Sequence, residues 1–486
     1  MKAILTFLSY SEIEQIHGAS LRILQETGIK VTSEKVKKLL AENGAEIGGD
    51  IVKFPKSVIE EAIRRAPQEI TLEARDPKCG LKIPTDEFTL NALSGFAPFV
   101  DDFETGERRY ATSSDLKDFA IVGDYLDTVD IFWPIVVPSD YPPAIQELHS
   151  LLISLRNNRK HITCSCTTEK MAQWHIRLTA AIVGGEAELR KRPIFSALIS
   201  PITPLTFEKD ASEAIVVLAK SGIPIVPMNM VLGGTSAPAT IAGILALANA
   251  EQLACLAIVQ YACPGAPMVY CSEPATANMR TGGIDYSAPQ YPLLCAGGAQ
   301  MARFYKLPNY VADIAPGDKI PGSIAPEHKS AKTIRDMQYD IVSDALLFMN
   351  NTDMVANFGS VDEAISASLS KVVLDAEAFE HVRAYQRRFE INDDTLALDI
   401  INKVGHGGHF LEMDHTLKHY KKEIWNKKLP QTFVLDPATE GSFTERAQAK
   451  VREILATHKP PLIKKAVEDE IRMIIQAAEK DIMGKK

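Results

Sequence analysis

One local pattern recurs along this sequence: a short apolar run ends at a polar residue, and a loop then leads into a helix. Its clearest copy spans Ile223 to Ala262. The run Ile223–Met228 is apolar and rich in β-branched residues, which predicts a buried strand that stops at Asn229. Ser236 follows in the loop and is predicted to cap a helix that ends near Tyr261. Such alternation of strands and helices indicates a fold built on a parallel sheet.

The pattern is predicted to occur eight times within residues 86–402. Eight units predict a closed (β/α)8 barrel of the TIM type with insertions. An open doubly wound sheet also alternates strands and helices, but the count of eight and the absence of a G-x-G-x-x-G turn after any predicted strand favour the barrel. The predicted strands are Phe88–Leu93, Ile131–Val137, His161–Cys166, Ile194–Ile199, Ile223–Met228, Met268–Cys271, Tyr310–Ile314 and Met354–Phe358. The predicted helices are Asp115–Leu126, Ala144–Arg156, Glu169–Ile182, Phe207–Lys220, Ala237–Tyr261, Ser287–Tyr305, Glu327–Met349 and Ala376–Ile401.

Two flanking regions lack this repeat. Residues 1–85 mix helical and strand patterns and are predicted to form an N-terminal α+β cap. Residues 403–486 begin with a segment rich in glycine and histidine and continue as a C-terminal helical extension, with helices predicted at Thr444–Thr457 and Leu462–Ile482. The predicted domains are therefore 1–85, 86–402 and 403–486.

Composition argues against several classes of function. A net charge of -9 over 486 residues disfavours nucleic acid as a partner, because phosphate binding needs a basic surface. The N-terminus lacks the apolar core and cleavage site of a signal peptide. The most apolar stretch, Ala237–Ala262, carries Asn249, Glu251 and Gln252 near its middle, which argues against a membrane span. Seven cysteines are few for this length, and reduced thiols in a cytoplasmic enzyme are the simplest interpretation.

The same stretch leads us to expect a homo-oligomer. The helix Ala237–Ala262 is apolar on nearly all sides, with Glu251 as its only charge. A helix of this kind needs cover all round, whereas a barrel covers one side only. The N-terminal cap can cover part of the remainder, and a second copy of the chain is expected to cover the rest.

The active site of such a barrel lies at the C-terminal ends of its strands. The residues predicted there include no Lys or Arg, few acids, some amides and several aromatic rings, which suits a small polar or cationic ligand better than a phosphorylated one. A polar residue that closes an apolar strand also occurs at any solvent-facing strand end. The predicted strand-end residues are Ser94–Phe99, Pro138–Asp140, Cys164–Cys166, Ser200, Asn229–Met230, Glu273, Asp313 and Asn357–Gly359.

Three further features admit more than one interpretation. The Gly233-Gly234 loop can hold an anion on its backbone N–H groups or simply connect a strand to a helix. Cys164 and Cys166 face the same side of one strand. They would hold zinc only with a third ligand, which sequence spacing does not supply, and the alternative is that both are structural thiols. Four histidines near the C-terminus form either a metal site or a ligand-facing lid, and no bound metal is predicted. These histidines are His406, His409, His415 and His419.

The most distinctive stretches of the chain are Gly405–Leu411, Asp414–Lys418, Glu445–Ala447, Ile454–His458, Gly95–Asp101, Thr105–Arg109 and Asp318–Lys319. Together they resemble the trimethylamine methyltransferase (MttB) family of corrinoid-dependent methyltransferases, over nearly the whole chain. The resemblance implies a (β/α)8 barrel, in agreement with the count of eight units. It also implies an enzyme that moves a methyl group from an amine to the cobalt of a corrinoid (cobalamin) carried by a cognate partner protein.

The sequence departs from one feature of that family. Members that demethylate trimethylamine carry pyrrolysine within the barrel, whereas this chain contains only standard residues. The resemblance is therefore to the branch without pyrrolysine, which implies a quaternary amine such as glycine betaine as the substrate. A neutral tertiary amine then leaves, so no general acid is needed, and the sequence indeed shows no recognisable acid–base pair.

The implied reaction assigns roles to the strand-end residues. Aromatic faces hold a quaternary ammonium without the excess ground-state stabilisation that a close carboxylate would give. The substrate-binding residues are predicted to be Phe96, Phe99, Trp133 and Phe358 as the cage, and Asn229, Gly233 and Gly234 as donors to a betaine carboxylate. The predicted catalytic residues are His409 as a further donor, and Glu273 and Asp313, which orient the donors.

Two other functions remain open from the sequence. The first is a zinc-dependent methyltransferase of a thiol or alcohol, which requires Cys164, Cys166 and one more ligand around the metal. The second is a non-catalytic barrel that binds a betaine as a sensor.

Overall fold

The fold is a closed barrel of eight parallel strands arranged in chain order, as the sequence predicts. A computed structural model describes residues 5–85, 88–284, 288–311, 349–350, 352–362, 364–386, 389–423 and 441–484. The last barrel strand pairs with the first, Met354 opposite Leu90, and this pairing closes the barrel. The strands are β1 (Leu90–Leu93), β2 (Ile131–Phe132), β3 (His161–Ser165), β4 (Phe195–Ile199), β5 (Ile225–Asn229), β6 (Tyr270–Ser272), β7 (Asn309–Val311) and β8 (Met354–Phe358).

Helices surround this barrel and follow the strands at the predicted places. The helix predicted at Glu327–Met349 lies, apart from its last residue, outside the described residues. The last barrel helix begins and ends earlier than the predicted Ala376–Ile401, and the short helices Asp393–Leu396 and Leu398–Val404 come after it. The described barrel helices are α1 (Ser113–Tyr125), α2 (Pro143–Asn157), α3 (Glu169–Val183), α4 (Lys209–Lys220), α5 (Ile241–Ala262), α6 (Gln290–Phe304) and α7 (Leu369–Gln386).

The start of α5 differs from the prediction for a local reason. Its N-cap is Thr240, whose hydroxyl accepts a hydrogen bond from the Gly243 N–H. The predicted cap, Ser236, instead accepts the Leu232 N–H with its hydroxyl, at 2.9 Å, and so stabilises the preceding turn. The hydroxyl of Ser236 thus serves the loop, and the helix begins one turn later than expected.

The N-terminal region combines helices with short strands and packs tightly onto the barrel. Its strand Ile29–Val31 pairs with Thr206–Phe207, a short strand that follows β4. Its hairpin Ile70–Leu72/Leu81–Ile83 closes the N-terminal end of the barrel, where Leu72 and Ile83 are buried beside Leu90. The other elements are the helices Tyr10–Arg22, Glu34–Glu42 and Lys56–Arg65, the single turns Ile23–Thr27 and Pro77–Cys79, and the strands Glu46–Gly48 and Ile51–Lys53.

The C-terminal region is helical, as predicted. Helix Phe443–Thr457 packs on α1 and α7, and helix Lys465–Met483 packs on α2 and α3. Between α7 and these helices lie the short helices already named and a longer one, Asp414–Glu423, which belong to the glycine- and histidine-rich segment. The C-terminal helices therefore cover the outside of the barrel on the α1–α3 side.

Helix α5 is covered within one chain. The helices Tyr10–Arg22, Glu34–Glu42 and Lys56–Arg65 pack on it from the N-terminal region, and α4 and α6 flank it. In the described part of the chain, α5 alone is long and apolar enough to cross a membrane, but 83% of its most apolar window is buried in the fold. The apolar surface that led us to expect a homo-oligomer is thus a core surface, so that argument is wrong and the oligomeric state stays a prediction.

A candidate site at the mouth of the barrel

Side chains fill the inside of the barrel at its N-terminal end. Successive side chains of each strand point alternately into the barrel and outward against the helices. Near the bottom, Leu72, Ile131 and Met354 leave a cavity of only about 10 Å³. Any ligand site must therefore lie above this layer, at the mouth formed by the C-terminal ends of the strands.

Aromatic rings form a row from the inside of the barrel to its mouth. Trp133 follows β2, faces inward and is 2% exposed. Its ring packs edge-to-face on Phe96, with centroids 5.1 Å apart, and lies 6.1 Å from the ring of Tyr310 on β7. Phe96 is 41% exposed and therefore forms the outer end of the row. The sequence predicted Phe96 and Trp133 together but missed Tyr310, although strand alternation at β7 could have indicated its inward direction.

Glu273 is a buried carboxyl group at the same mouth. It lies two residues beyond Cys271, whose side chain belongs to the inner cluster of the barrel, so alternation directs Glu273 inward as well. Its backbone N–H donates to the Asn229 carbonyl, while no donor to its carboxyl group lies among the described residues. Burial raises the pKa of Glu273 to about 7, because the charged form loses its hydration without compensation. The side chain can therefore be neutral or charged near neutral pH.

The other two rings of the predicted cage lie elsewhere. Phe358 is 2% exposed and stacks on Phe379 of α7, at a centroid distance of 4.9 Å, on the outer face of the barrel. The pairing of β8 with β1 shifts register between Val355 and Phe358, and a one-residue shift moves a side chain to the opposite face. Phe99 lies on a hairpin strand beyond β1, with its ring 4.8 Å from that of Tyr110. We therefore remove Phe358 from the candidate site and place Phe99 at its rim.

Asn229 does not face the barrel interior. Its side-chain amide donates to the Ala248 carbonyl and to the Glu251 carboxyl group, both on α5. Its carbonyl oxygen accepts a hydrogen bond from the Gln252 amide at 2.9 Å. These hydrogen bonds occupy the side-chain amide of Asn229 and hold α5 against β5. Asn229 therefore has a structural role, and its assignment to substrate binding is wrong.

The Gly233-Gly234 loop uses its N–H groups internally. The Gly234 N–H donates to the Ala237 carbonyl, and the Thr235 N–H donates to the Leu232 carbonyl. Gly234 has φ +94°, and the Met279 sulfur lies 3.0 Å from the place where a Cβ atom would stand. The Gly234 and Thr235 N–H groups are thus used within the turn, which argues against this loop as an anion site.

The described contacts do not test the remaining predicted catalytic residues, Asp313 and His409. Asp313 falls outside the described residues. His409 lies on an exposed, glycine-rich turn between Leu398–Val404 and Asp414–Glu423, and no contact described here joins it to the mouth. The roles of Asp313 and His409 accordingly stay predictions.

Cys164 and Cys166 are both buried on the outer face of β3, against the helices. Burial raises the pKa of both thiols well above the usual value, which opposes the thiolate form that zinc requires. His175 on α3 lies 3.8 Å from the Cys164 sulfur, a neighbour that sequence spacing did not reveal. Within the described ranges, these side chains do not form a group of three possible metal ligands. Such a group does occur further along the chain.

Comparison with known proteins agrees with this barrel. The chain is 28% identical to the glycine betaine methyltransferase of Desulfitobacterium hafniense over 483 residues, which cover 98% of this chain and 97% of that protein. It is 27% identical to the trimethylamine methyltransferase MttB of the same species, over 97% and 93% of the two chains. It is also 27% identical to MttB of Methanosarcina barkeri, over 99% and 96%.

Solved structures and the family model complete the comparison. The monomethylamine methyltransferase MtmB of Methanosarcina barkeri has a similar fold, with a TM-score of 0.52 at 12% identity over 94% of this chain and 88% of that one. The sequence model described as trimethylamine methyltransferase (MTTB) matches residues 2–483, almost the full length. With a barrel closed by eight parallel strands and a match of this extent, the chain is a methyltransferase that belongs to the trimethylamine methyltransferase (MTTB) family.

Proposed function

We propose that this methyltransferase takes a methyl group from a betaine-type quaternary amine and passes it to the Co(I) corrinoid of a partner protein. The observations that carry the proposal are the row of Tyr310, Trp133 and Phe96 rings, which runs from the inside of the barrel to an exposed Phe96, and the buried Glu273, whose pKa burial raises to about 7. The 28% identity to a glycine betaine methyltransferase over nearly the full length supports the same substrate class.

The aromatic row suits the charge of such a substrate. A quaternary ammonium has no N–H group, so it gains from aromatic faces without needing hydrogen-bond acceptors. Its positive charge leaves nitrogen as the methyl group departs, and an ionised carboxylate in contact would hold the ground state more tightly than the transition state. Phe96 and Trp133 bind the cation in this proposal, and Tyr310 continues their surface into the barrel.

Glu273 acts here in its neutral form. A betaine bears a carboxylate a short distance from its ammonium, and a protonated Glu273 can donate a hydrogen bond to it. The approach of that carboxylate raises the pKa of Glu273 further, because two negative charges repel each other. The residue thereby binds the substrate without placing a second negative charge beside the ammonium.

The partner's corrinoid supplies the nucleophile that accepts the methyl group. The face of the barrel that presents the mouth bears exposed apolar side chains on loops that follow β1, β6 and β8, which is the kind of surface that marks an interaction site. These side chains are Phe96, Tyr110, Met279 and Ile365, which are 41%, 65%, 77% and 44% exposed. In this proposal, the flat apolar corrinoid approaches the aromatic row across these side chains.

The test is a substrate screen with a reduced corrinoid protein from the same cell. The loss of Co(I) absorbance is followed with glycine betaine, other betaines and trimethylamine, with and without the methyltransferase. We expect turnover with at least one betaine and little with trimethylamine, whose protonated form carries an N–H group that aromatic walls do not satisfy. Equal rates with trimethylamine and with every betaine would refute the assignment to quaternary amines.

A further inference from the structure

The glycine- and histidine-rich segment brings three metal-ligating side chains together. His415 and His419 are one helical turn apart on helix Asp414–Glu423, so they lie on the same helix face. Their ring centroids are 4.3 Å apart. Asp394, from the short helix Asp393–Leu396, directs a carboxylate oxygen to within 3.1 Å of His419 Nε2. One ligand atom from each of the three residues lies within 4.8 Å of the others.

We propose that Asp394, His415 and His419 bind one divalent transition-metal ion, of which zinc is the best match. Two imidazoles and one carboxylate form a ligand set that zinc, with bonds of about 2.0–2.2 Å, accepts in tetrahedral geometry with a water molecule as the fourth ligand. Ligand atoms at that distance from one ion lie roughly 3–4 Å apart, which is close to the spacing already present between Asp394 and His419. Only small side-chain movements are needed to close the site.

Asp394 makes contacts with Lys418 and His415. Lys418 Nζ lies 2.7 and 2.9 Å from the two carboxylate oxygens of Asp394, so a cation already occupies one side of this carboxylate. His415 Nε2 lies 2.9 Å from the Asp394 backbone carbonyl. The Lys418 side chain is 63% exposed, and an exposed ion pair of this kind contributes little stability. A metal ion can therefore displace the ammonium group from Asp394. The ion and Lys418 thus compete for Asp394.

The site joins two pieces of chain that are distant in sequence. Asp394 precedes the glycine-rich turn that contains His406 and His409, and the two ligating histidines come after it. A bound ion therefore fixes the two ends of this turn, in the way that structural zinc sites hold short segments. The ion orders the segment, and the proposal is independent of the substrate proposed above.

Metal titration of the full chain, without an affinity tag and after removal of metals by a chelator, tests the site. Zinc binding is measured by calorimetry, and Co²⁺ binding by its visible absorption bands. We expect one ion per chain. Loss of an outer hydrogen bond to a metal ligand typically costs about 10–100-fold in affinity, so His415→Ala and His419→Ala should each cost at least that much. The control, His406→Ala, removes an exposed histidine of the same segment and should leave the affinity unchanged.

Lys418→Met supplies an outcome that misfolding cannot imitate. Because it removes the competing ammonium, the variant should bind zinc more tightly than the natural chain. A purely structural ion pair between Lys418 and Asp394 predicts no tighter binding after the same change. The proposal is overturned if the natural chain shows no stoichiometric binding, or if the His415→Ala and His419→Ala variants bind zinc as tightly as the natural chain does.

Discussion

Two buried glutamates, Glu251 on α5 and Glu273 beyond β6, differ in what their carboxyl groups contact. The Glu251 carboxyl group accepts hydrogen bonds from the Leu205 N–H at 2.7 Å, the Thr203 hydroxyl at 2.9 Å and the Asn229 amide at 3.0 Å. Glu273 is nearly as buried, 7% against 1% exposed, but its carboxyl group has no such donor among the described residues. Burial raises the pKa of both groups, and only at Glu251 do donors oppose the rise.

The difference separates a structural group from a candidate functional one. A buried polar group that is fully hydrogen-bonded contributes to a unique packing arrangement, as Glu251 does between β5, α5 and the loop after β4. A buried group without partners costs stability, and such groups cluster at functional sites, where a ligand supplies the missing contact. Each prediction below tests this contrast.

The largest expected effect is on folding, at Glu251. Glu251→Ala leaves the Leu205 N–H, the Thr203 hydroxyl and the Asn229 amide without their acceptor, and each unsatisfied buried group costs about 1–3 kcal/mol. We expect the free energy of unfolding, measured with urea, to fall by about 3–5 kcal/mol. The variant Glu273→Gln should lose no stability at pH 7 and should gain some, because a neutral amide avoids the cost of ionising a buried carboxyl group. A similar loss in both variants would contradict the contrast.

The second effect is a pH dependence of stability that comes from Glu273. Its pKa is about 7 in the folded chain, against an ordinary value of 4.5, so the folded state holds the proton more tightly than the unfolded state. The stabilisation is complete below pH 4.5 and is lost as pH rises through 7, with a total near 3 kcal/mol. Unfolding experiments at pH 5 and pH 8 should reveal this loss in the natural chain. The Glu273→Gln variant should lack that part of the slope.

The third effect is on catalysis, at Glu273. If its protonated carboxyl group donates to the substrate carboxylate, kcat/KM should fall as pH rises through about 7. A hydrogen bond to a charged group contributes about 1.5–3 kcal/mol, so Glu273→Ala should lower kcat/KM by about 10–100-fold. Glu273→Gln keeps a donor and should retain more activity while losing the pH dependence. A rate that rises with pH would instead indicate an ionised Glu273 paired with the ammonium.

The smallest effect concerns the rings. Phe96→Leu and Trp133→Leu each remove one aromatic face and should weaken betaine binding by about 0.5–2 kcal/mol, measured by calorimetry. Phe358→Leu is the control, because its ring packs on Phe379 outside the barrel. That variant should lower stability and leave betaine affinity unchanged. Equal losses of affinity at Phe96 and Phe358 would show that the rings act only through packing.

Much of the fold could be predicted from sequence, because strand and helix patterns are local. The run Met354–Phe358 was predicted with the bounds that the structure has, and the count of eight strands selected the closed barrel. The bounds of α5 were less predictable, since the choice between Ser236 and Thr240 as cap depends on where the Ser236 hydroxyl finds a donor. The cover on α5 was underestimated: the N-terminal region was expected to cover part of this helix, but it packs three helices on it from about 200 residues earlier in the chain.

The site was predicted less well, because a strand end has two faces. Strict alternation from Met354 and Ala356 would place Phe358 inside the barrel, and the register shift that turns it outward leaves no signal in the sequence. Asn229 follows the inward Met228 and so faces α5, which the polar residues in the middle of that helix could have indicated. Glu273 and Trp133 were chosen by type and position; both are buried, Trp133 belongs to the inner cluster of the barrel, and their roles stay predictions.

The hairpin Ile70–Leu72/Leu81–Ile83 fills the N-terminal end of the barrel, so that among the described residues the C-terminal mouth is the end left for entry. In the proposed reaction, the amine and the partner's cobalt must reach the substrate through the same opening. The amine therefore has to enter before the partner docks, and the demethylated product waits until the partner departs. Steady-state kinetics should accordingly follow an ordered sequence, in which excess partner protein traps product and slows turnover.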